Sequence, residues 1–190
     1  MYKKTLLLHA CCAPCSSHVL TLLCEYFDIT IFYYNPNIEP HAEYIKRKQE
    51  QLRFLKEYIP KNQINFLDCD YDHDAFLEIA KGLETEPEGG TRCHRCYELR
   101  LEKTAQTAKE KGFDYFGTTL TVSPYKNSTW INEIMEKYQN QGLTRNERHI
   151  AVRTDAEYQK NKKEMEIIFD EYERLGGYSY KSEINGILKG

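Results

Sequence analysis

Two groups of cysteines restrict how this chain can fold more than any other feature. Cys11 and Cys12 are adjacent within His9-Ala10-Cys11-Cys12-Ala13-Pro14-Cys15, and Cys93 and Cys96 form Cys-His-Arg-Cys far along the chain. Four thiolates suit zinc or an iron–sulfur cluster. Sharing one inorganic centre would force a fold that brings the segment after residue 10 against the segment around residue 93. Cys11 and Cys12 also fit as small buried hydrophobes at the end of a strand. Two pairs at element ends, the second beside Gly89, Gly90 and Arg92, favour metal binding instead. Adjacent side chains are expected to diverge, which makes Cys11-Cys12 a poor chelate for one tetrahedral zinc and better suited to a larger cluster.

Around these cysteines, apolar runs alternate with helical patterns. Lys4–His9 reads as a short central strand. Ser16 or Ser17 is a candidate cap for a helix reaching about Phe27, with Val19, Leu20, Leu22 and Leu23 inward. Asp28–Tyr34 is β-branched and aromatic, hence a second strand. A helix from about Pro40 to Tyr58, carrying Ile45, Leu52, Leu55 and Ile59, precedes a strand over Ile64–Leu67. His73–Gly82 reads as a short helix and Glu84–Thr91 as a loop. Cys96–Lys111 reads as a helix closed by Gly112. Phe113–Thr119 is the fourth strand and Leu120–Asn127 a polar loop. Ile131, Ile134, Met135 and Tyr138 mark another helix, and Glu157–Leu175 a last one. The expected fold is a single-domain, Rossmann-like α/β parallel sheet with helices on both faces and a helical C-terminal part. Residues 1–138 form the α/β metallocluster part, and residues 139–190 a mainly helical extension of the same domain.

The 190 residues carry a net charge of −3, which excludes a global basic field for nucleic acid. No run approaches the length of a membrane helix, and no signal-peptide layout opens the chain. The expectation is a cytoplasmic protein, in which seven cysteines serve metal or redox chemistry rather than disulfides. Cys15 follows the first pair closely. It fits a contact to the same centre, a second metal, or a helix-start thiol of lowered pKa. His9 and His94 flank the pairs, more often as hydrogen-bonding neighbours than as ligands. No phosphate-cradling glycine motif is present. Asn35-Pro36-Asn37 and Thr118–Asn127 supply amides, hydroxyls and one cation suited to a sugar, base or phosphate.

Five segments together resemble one family. They are His9–Cys15, Phe32–Ile38, Glu86–Gly90 leading to Cys93-His94-Arg95-Cys96-Tyr97, Arg100–Ala105 and Thr118–Asn127. They are similar, in order and spacing from residue 5 to about residue 138, to QueH, the cobalamin-independent epoxyqueuosine reductase. The resemblance implies reduction of epoxyqueuosine to queuosine at the tRNA wobble position, the last step of queuosine synthesis. It implies a [4Fe-4S] cluster held by Cys11, Cys12, Cys93 and Cys96, with an additional iron ion beside it that Cys15 contacts. The partners implied are the anticodon loop of tRNA and an electron donor that the sequence does not name. Candidate proton donors are His9, His94 and Tyr97. Candidate substrate contacts are Tyr33, Tyr34, Asn35, Asn37, Thr119, Ser123, Tyr125, Lys126 and Asn127. The family's C-terminal Cys-Gly-Cys has no counterpart after Cys96, so turnover with a physiological reductant is expected to be weaker than with a chemical one. Two other readings stand beside this one. The first is another iron–sulfur tRNA-modifying enzyme, with Cys15 transferring sulfur. The second is a zinc-stabilised RNA-binding module without catalysis.

Overall fold

The computed structural model describes residues 4–24, 26–57, 64–123, 125–140 and 149–150. The expected helix over Glu157–Leu175 lies outside these residues, as does Ile59. Strand β1 (Lys4–His9) runs up the middle of the sheet. Its Leu6, Leu7 and Leu8 are fully buried, and each leucine contributes about 1.5–3 kcal/mol by leaving water. A strand this apolar needs both its faces covered, and the next elements cover them. Helix α1 (Ala13–Leu23) and helix α2 (His41–Glu57) flank strand β2 (Phe27–Tyr33) in sequence. Strand β3 (Asn65–Asp68) is followed by helices α3 (His73–Ala80) and α4 (Thr91–Lys111). Strand β4 (Tyr115–Thr118), a single 3₁₀ turn over Leu120–Val122, helix α5 (Ser128–Asn140) and the two-residue strand β5 (His149–Ile150) complete the described elements.

The sheet has the order β3-β2-β1-β4-β5, and every pairing is parallel. Leu6 lies between Ile29 and Tyr115, and Leu8 between Ile31 and Gly117. Side chains along β1 alternate between two cores. Leu6, Leu8 and Ala10 join Val19, Leu20, Ile29, Ile31 and Phe54 under α1 and α2. Leu7 joins Phe32, Phe116, Leu101, Ala105, Ile131, Ile134 and Met135 under α4 and α5. The order reverses direction at β1, so the loops after β1 and β4 leave the sheet side by side. That switch point is where an open α/β sheet forms its ligand crevice.

The fold class and most elements agree with the sequence reading, and three details differ. Helix α1 begins at Ala13, three residues before Ser16, with Pro14 in its first turn. Ser16 and Ser17 do not cap it; their hydroxyls donate to the carbonyls of Ala13 and Pro14. Helix α4 begins at Thr91, so Cys93 lies inside it rather than before it. On α2 the buried face carries Tyr44, Gln51 and Phe54, while Leu52 is exposed. The two aromatics bury more surface than the leucine and set the helix rotation. Gly112 closes α4 in the left-handed conformation (φ 72°), and Phe113 N–H donates back to the Ala108 carbonyl.

At the opposite end of the sheet from the switch point, Asp114 ties the starts of β1 and β4 together. Its Oδ2 accepts both the backbone N–H and the hydroxyl of Thr5, each at 3.0 Å, and its own N–H donates to Thr5 Oγ1. The backbone N–H of Thr5 is the leading cause that holds the Asp114 carboxyl below its ordinary range. A depressed carboxyl contributes stability above its unfolded-state pKa, and that stability is lost as pH falls through the folded value. Asp114→Asn is therefore expected to cost about 1–3 kcal/mol at neutral pH. The deficit against the wild type should shrink in acid, as read by urea unfolding at pH 7 and at successively lower pH.

Candidate metal centre at the sheet switch point

Cysteines 11, 12 and 15 meet because β1 is stopped abruptly. Ala10 N–H still bonds the Phe32 carbonyl, which extends the ladder by one residue. The Ala10 carbonyl does not continue it; Asn35 Nδ2 donates to it at 2.9 Å. On the other side Thr119 N–H donates to the His9 carbonyl. Cys12 then takes an extended conformation (φ −165°, ψ 160°) as the residue before α1, and its carbonyl receives the Ser16 N–H. The sulfurs of Cys11, Cys12 and Cys15 all lie within 4.8 Å of one another, and Cys11 and Cys12 Sγ are 3.7 Å apart. All three are free thiols.

This geometry corrects the expectation that adjacent cysteines diverge. Divergence holds along a strand, where successive side chains take opposite faces. Here the chain leaves the strand at Ala10 and enters a helix at Ala13, and the bend turns both sulfurs the same way. The preference for a cluster over zinc that rested on divergence loses that support. Cys15 belongs to the trio, but its pKa is not lowered. Contacts with the Cys12 and Cys15 sulfurs hold Cys11 well below the usual thiol range. The same contacts, together with burial, push Cys12 and Cys15 up. The thiolate character gathers on Cys11 rather than at the helix start.

Cys93 and Cys96 occupy the first turns of α4. Cys93 Sγ accepts the N–H of Gly89 at 3.3 Å, and Gly89 has the left-handed φ of 86° that the turn into the helix requires. Cys96 is buried. Cys11 and Cys93 border the same apolar cluster, which includes Leu7, Tyr34 and Tyr97. Among the described residues, however, the group close enough to share one ion is Cys11, Cys12 and Cys15, with the second pair outside it.

The three proton-donor candidates separate clearly. His9 is fully buried with both ring nitrogens engaged. The Tyr34 carbonyl only accepts, so Nε2–H donates to it at 3.1 Å. Nδ1 therefore accepts the Thr118 hydroxyl at 3.0 Å, and Thr118 Oγ1 in turn accepts the Leu120 N–H. Burial, and then the Arg100 charge, hold the His9 pKa down to about 3. His9 is a neutral rivet between β1, β2 and β4, and this replaces its expected role as a donor. Tyr97 is buried, and its hydroxyl is raised first by burial and then by Cys93 and Cys96. His94 is half-buried and meets Trp130 edge-on, with ring centroids 5.1 Å apart.

The substrate candidates also divide. Tyr34 is buried beside Phe32, and burial is the first cause of a pKa pushed up to about 12. Tyr33, Asn35 and Thr119 are buried. The Tyr33 hydroxyl, Asn37 Oδ1 and Thr119 Oγ1 find no hydrogen-bond partner among the described residues. Ser123 Oγ accepts the Tyr125 N–H, and Asn127 Oδ1 accepts the Trp130 N–H, so Asn127 serves as a cap for α5. Tyr125 is 51% exposed, and Lys126 lies close enough to lower the Cys11 thiol electrostatically. The sequence reading gave no role to Arg100, and it took Thr118 only as part of the polar Thr118–Asn127 loop. The spacing 93, 96, 100 on one helix face was the available signal for Arg100.

Known proteins resemble this chain over most of its length. The family model described as epoxyqueuosine reductase QueH matches residues 6–175, past the stretch to about residue 138 over which the sequence resemblance was read. A protein of Streptococcus pyogenes serotype M1 named epoxyqueuosine reductase QueH is 46% identical over 134 residues, 70% of this chain and 52% of that protein. One of Acinetobacter baylyi with the same name is 50% identical over 129 residues, 67% of this chain and 57% of that protein. One of Staphylococcus epidermidis is 45% identical over 142 residues, 73% and 60% of the two chains. The chain thus spans a little over half the length of the curated relatives it matches.

In metal-free, reduced protein at neutral pH, limiting iodoacetamide is expected to modify Cys11 about tenfold faster than Cys12 or Cys15. Peptide mass analysis reads the order. Equal rates at the three positions would contradict a thiolate gathered on Cys11.

Proposed function

The chain belongs to the epoxyqueuosine reductase QueH family, and on that premise we propose that it reduces epoxyqueuosine in tRNA to queuosine at a thiolate-held iron–sulfur centre. The observation that carries this reading is the convergence of Cys11, Cys12 and Cys15 within 4.8 Å at the switch point. Three unbridged thiols are a soft donor set, which fits iron or an iron–sulfur cluster. The backbone N–H donated to Cys93 Sγ fits too, since hydrogen bonds to sulfur stabilise thiolate charge and tune cluster potentials. Cys11, Cys12, Cys93 and Cys96 would hold a [4Fe-4S] cluster, and Cys15 would contact an additional iron ion. Such a centre would supply two electrons and a Lewis acid, and two protons from the chain's donors or from solvent would complete removal of the epoxide oxygen as water.

The remaining work falls to the chain's own side chains. Tyr125 and Lys126 stand at the accessible rim of the site, where an aromatic face and a cation suit an unstacked base and its phosphate. His94 is the proton-donor candidate that is only half-buried, and its ring meets Trp130 edge-on. Asn35, Thr118 and His9 hold the loops in place. Asn37 and Thr119 retain acceptor capacity for a sugar hydroxyl. A tRNA substrate places the reaction in the cytoplasm, and no described helix is long and apolar enough to cross a membrane.

Anaerobic reconstitution with iron and sulfide is expected to give a brown protein. With a strong chemical reductant it should convert epoxyqueuosine-containing tRNA to queuosine, read by nucleoside mass analysis. Cys12→Ala should lose most of the colour and the conversion. A colourless chain that holds zinc and leaves the nucleoside unchanged would establish the zinc-stabilised RNA-binding module instead.

A further inference from the structure

Arg100 is 3% exposed, in the middle of the protein. A guanidinium stays charged at any working pH, and an unpaired buried charge costs several kcal/mol or more. The other arginines on described helices have ordinary partners. Arg47 pairs with Glu43, Arg53 pairs with Glu50 and Glu57, and Arg92 and Arg95 donate to carbonyls near the surface. Arg100 has no such arrangement. Its Nη2 donates to Asn35 Oδ1, its Nε finds no acceptor, and it makes no ion pair with a carboxylate among the described residues. A cation buried in this way calls for an anion, and among the described residues no carboxylate supplies it.

Its surroundings identify that anion. Arg100 lies on α4 four residues after Cys96 and seven after Cys93, a spacing that puts all three on one helix face. Through Asn35 it reaches the Ala10 carbonyl, one residue before Cys11. Its charge is felt at His9, Cys11, Tyr34 and Tyr97. One side chain therefore lies between the helix that carries the second cysteine pair and the turn that carries the first. Thiolate–metal centres are net anions, and their negative charge grows on reduction. A substrate phosphate is a poor alternative, because so little of the guanidinium is open to solvent.

We propose that Arg100 is the fixed counter-cation of the cysteine-held metal centre, and that its bond to Asn35 positions α4 against the Cys11 turn. This inference rests on the reading that the cysteine site holds a metal centre. Removing the charge should destabilise the more reduced, more negative state of the centre. Removing only the planar fork should weaken the link to Asn35 and leave the charge in place.

The test compares the wild-type chain with Arg100→Gln, which drops the charge, and Arg100→Lys, which keeps it. Two quantities are read: cobalt(II) affinity of the metal-free protein by its visible thiolate band, and the midpoint potential of the iron-reconstituted centre. Arg100→Gln is expected to bind cobalt(II) weaker by on the order of tenfold and to shift the midpoint to more negative values. Arg100→Lys is expected to stay near wild type in both, while both variants melt at lower temperature. Wild-type values in Arg100→Gln would overturn the proposal, as would equal shifts in the two variants, which would mean shape rather than charge. If Arg100→Gln does not fold, Arg100→Lys decides alone: a wild-type midpoint supports the proposal and a shifted one overturns it. A wild-type chain that takes up neither iron nor cobalt sinks the metal-centre reading itself. A wild type that takes up both beside an indistinguishable Arg100→Gln sinks the role of Arg100 alone.

Discussion

The hydrogen bond from Asn35 to the Ala10 carbonyl fixes the point at which the central strand stops being a strand. Without it, that carbonyl would seek the next rung of the sheet, and residues 11 and 12 would lie on opposite faces as strand residues do. With it, the chain turns at once into α1, and three sulfurs close on one another. Asn35 can do this because it leaves β2 at the same level of the sheet, directly beside the end of β1. The bond is short-range in space but joins residues 25 apart in sequence. The site therefore depends on the register of β1 against β2, which the buried Leu6–Ile29 and Leu8–Ile31 pairs set.

Charge is arranged around that turn with unusual economy. Of the two basic side chains deepest in the site, Arg100 remains a cation and His9 is neutral. Burial alone disfavours protonated imidazole, and a permanent guanidinium nearby disfavours it further. A neutral His9 can accept from Thr118 on one side and donate to Tyr34 on the other, a pattern that imidazolium could not satisfy. The loops after β1 and β4 are consequently locked together by a chain of neutral hydrogen bonds. The positive charge is left free to act on sulfur.

Much of this was legible in the sequence, for identifiable reasons. β1, β2 and β4 announce themselves because a parallel strand covered on both faces must be apolar throughout, as Leu6-Leu7-Leu8 is. The α5 stripe of Ile131, Ile134, Met135 and Tyr138 follows from helical period alone, and all four are buried. The helix starts were less legible. Both α1 and α4 begin without a side-chain cap, so the usual Ser, Thr, Asp or Asn signal is missing where it was sought. That error moved Cys15 and Cys93 out of the helices that contain them. The convergence of Cys11 and Cys12 was illegible for a different reason. It depends on a bond from residue 35, and nothing local to residues 10–12 records it.

Two scales of assembly meet at the site, and they place different demands on a metal. Cys11, Cys12 and Cys15 lie within one five-residue turn, which the bond from Asn35 holds in place once β1 and β2 have paired. Tetrahedral metal–sulfur bonds of about 2.3 Å put two sulfurs about 3.8 Å apart, and Cys11 and Cys12 Sγ already stand at 3.7 Å. Cys93 and Cys96 join only through the packing of α4 on the sheet, where Leu101, Ala105 and Ala108 bury against Leu7 and Phe116. A centre that draws on both sets must therefore span a local turn and a long-range helix contact. The residue that already spans them is Arg100, bonded to Asn35 on one side and sharing a helix face with Cys93 and Cys96 on the other. The link between the two cysteine groups is thus made by a cation before any metal makes it.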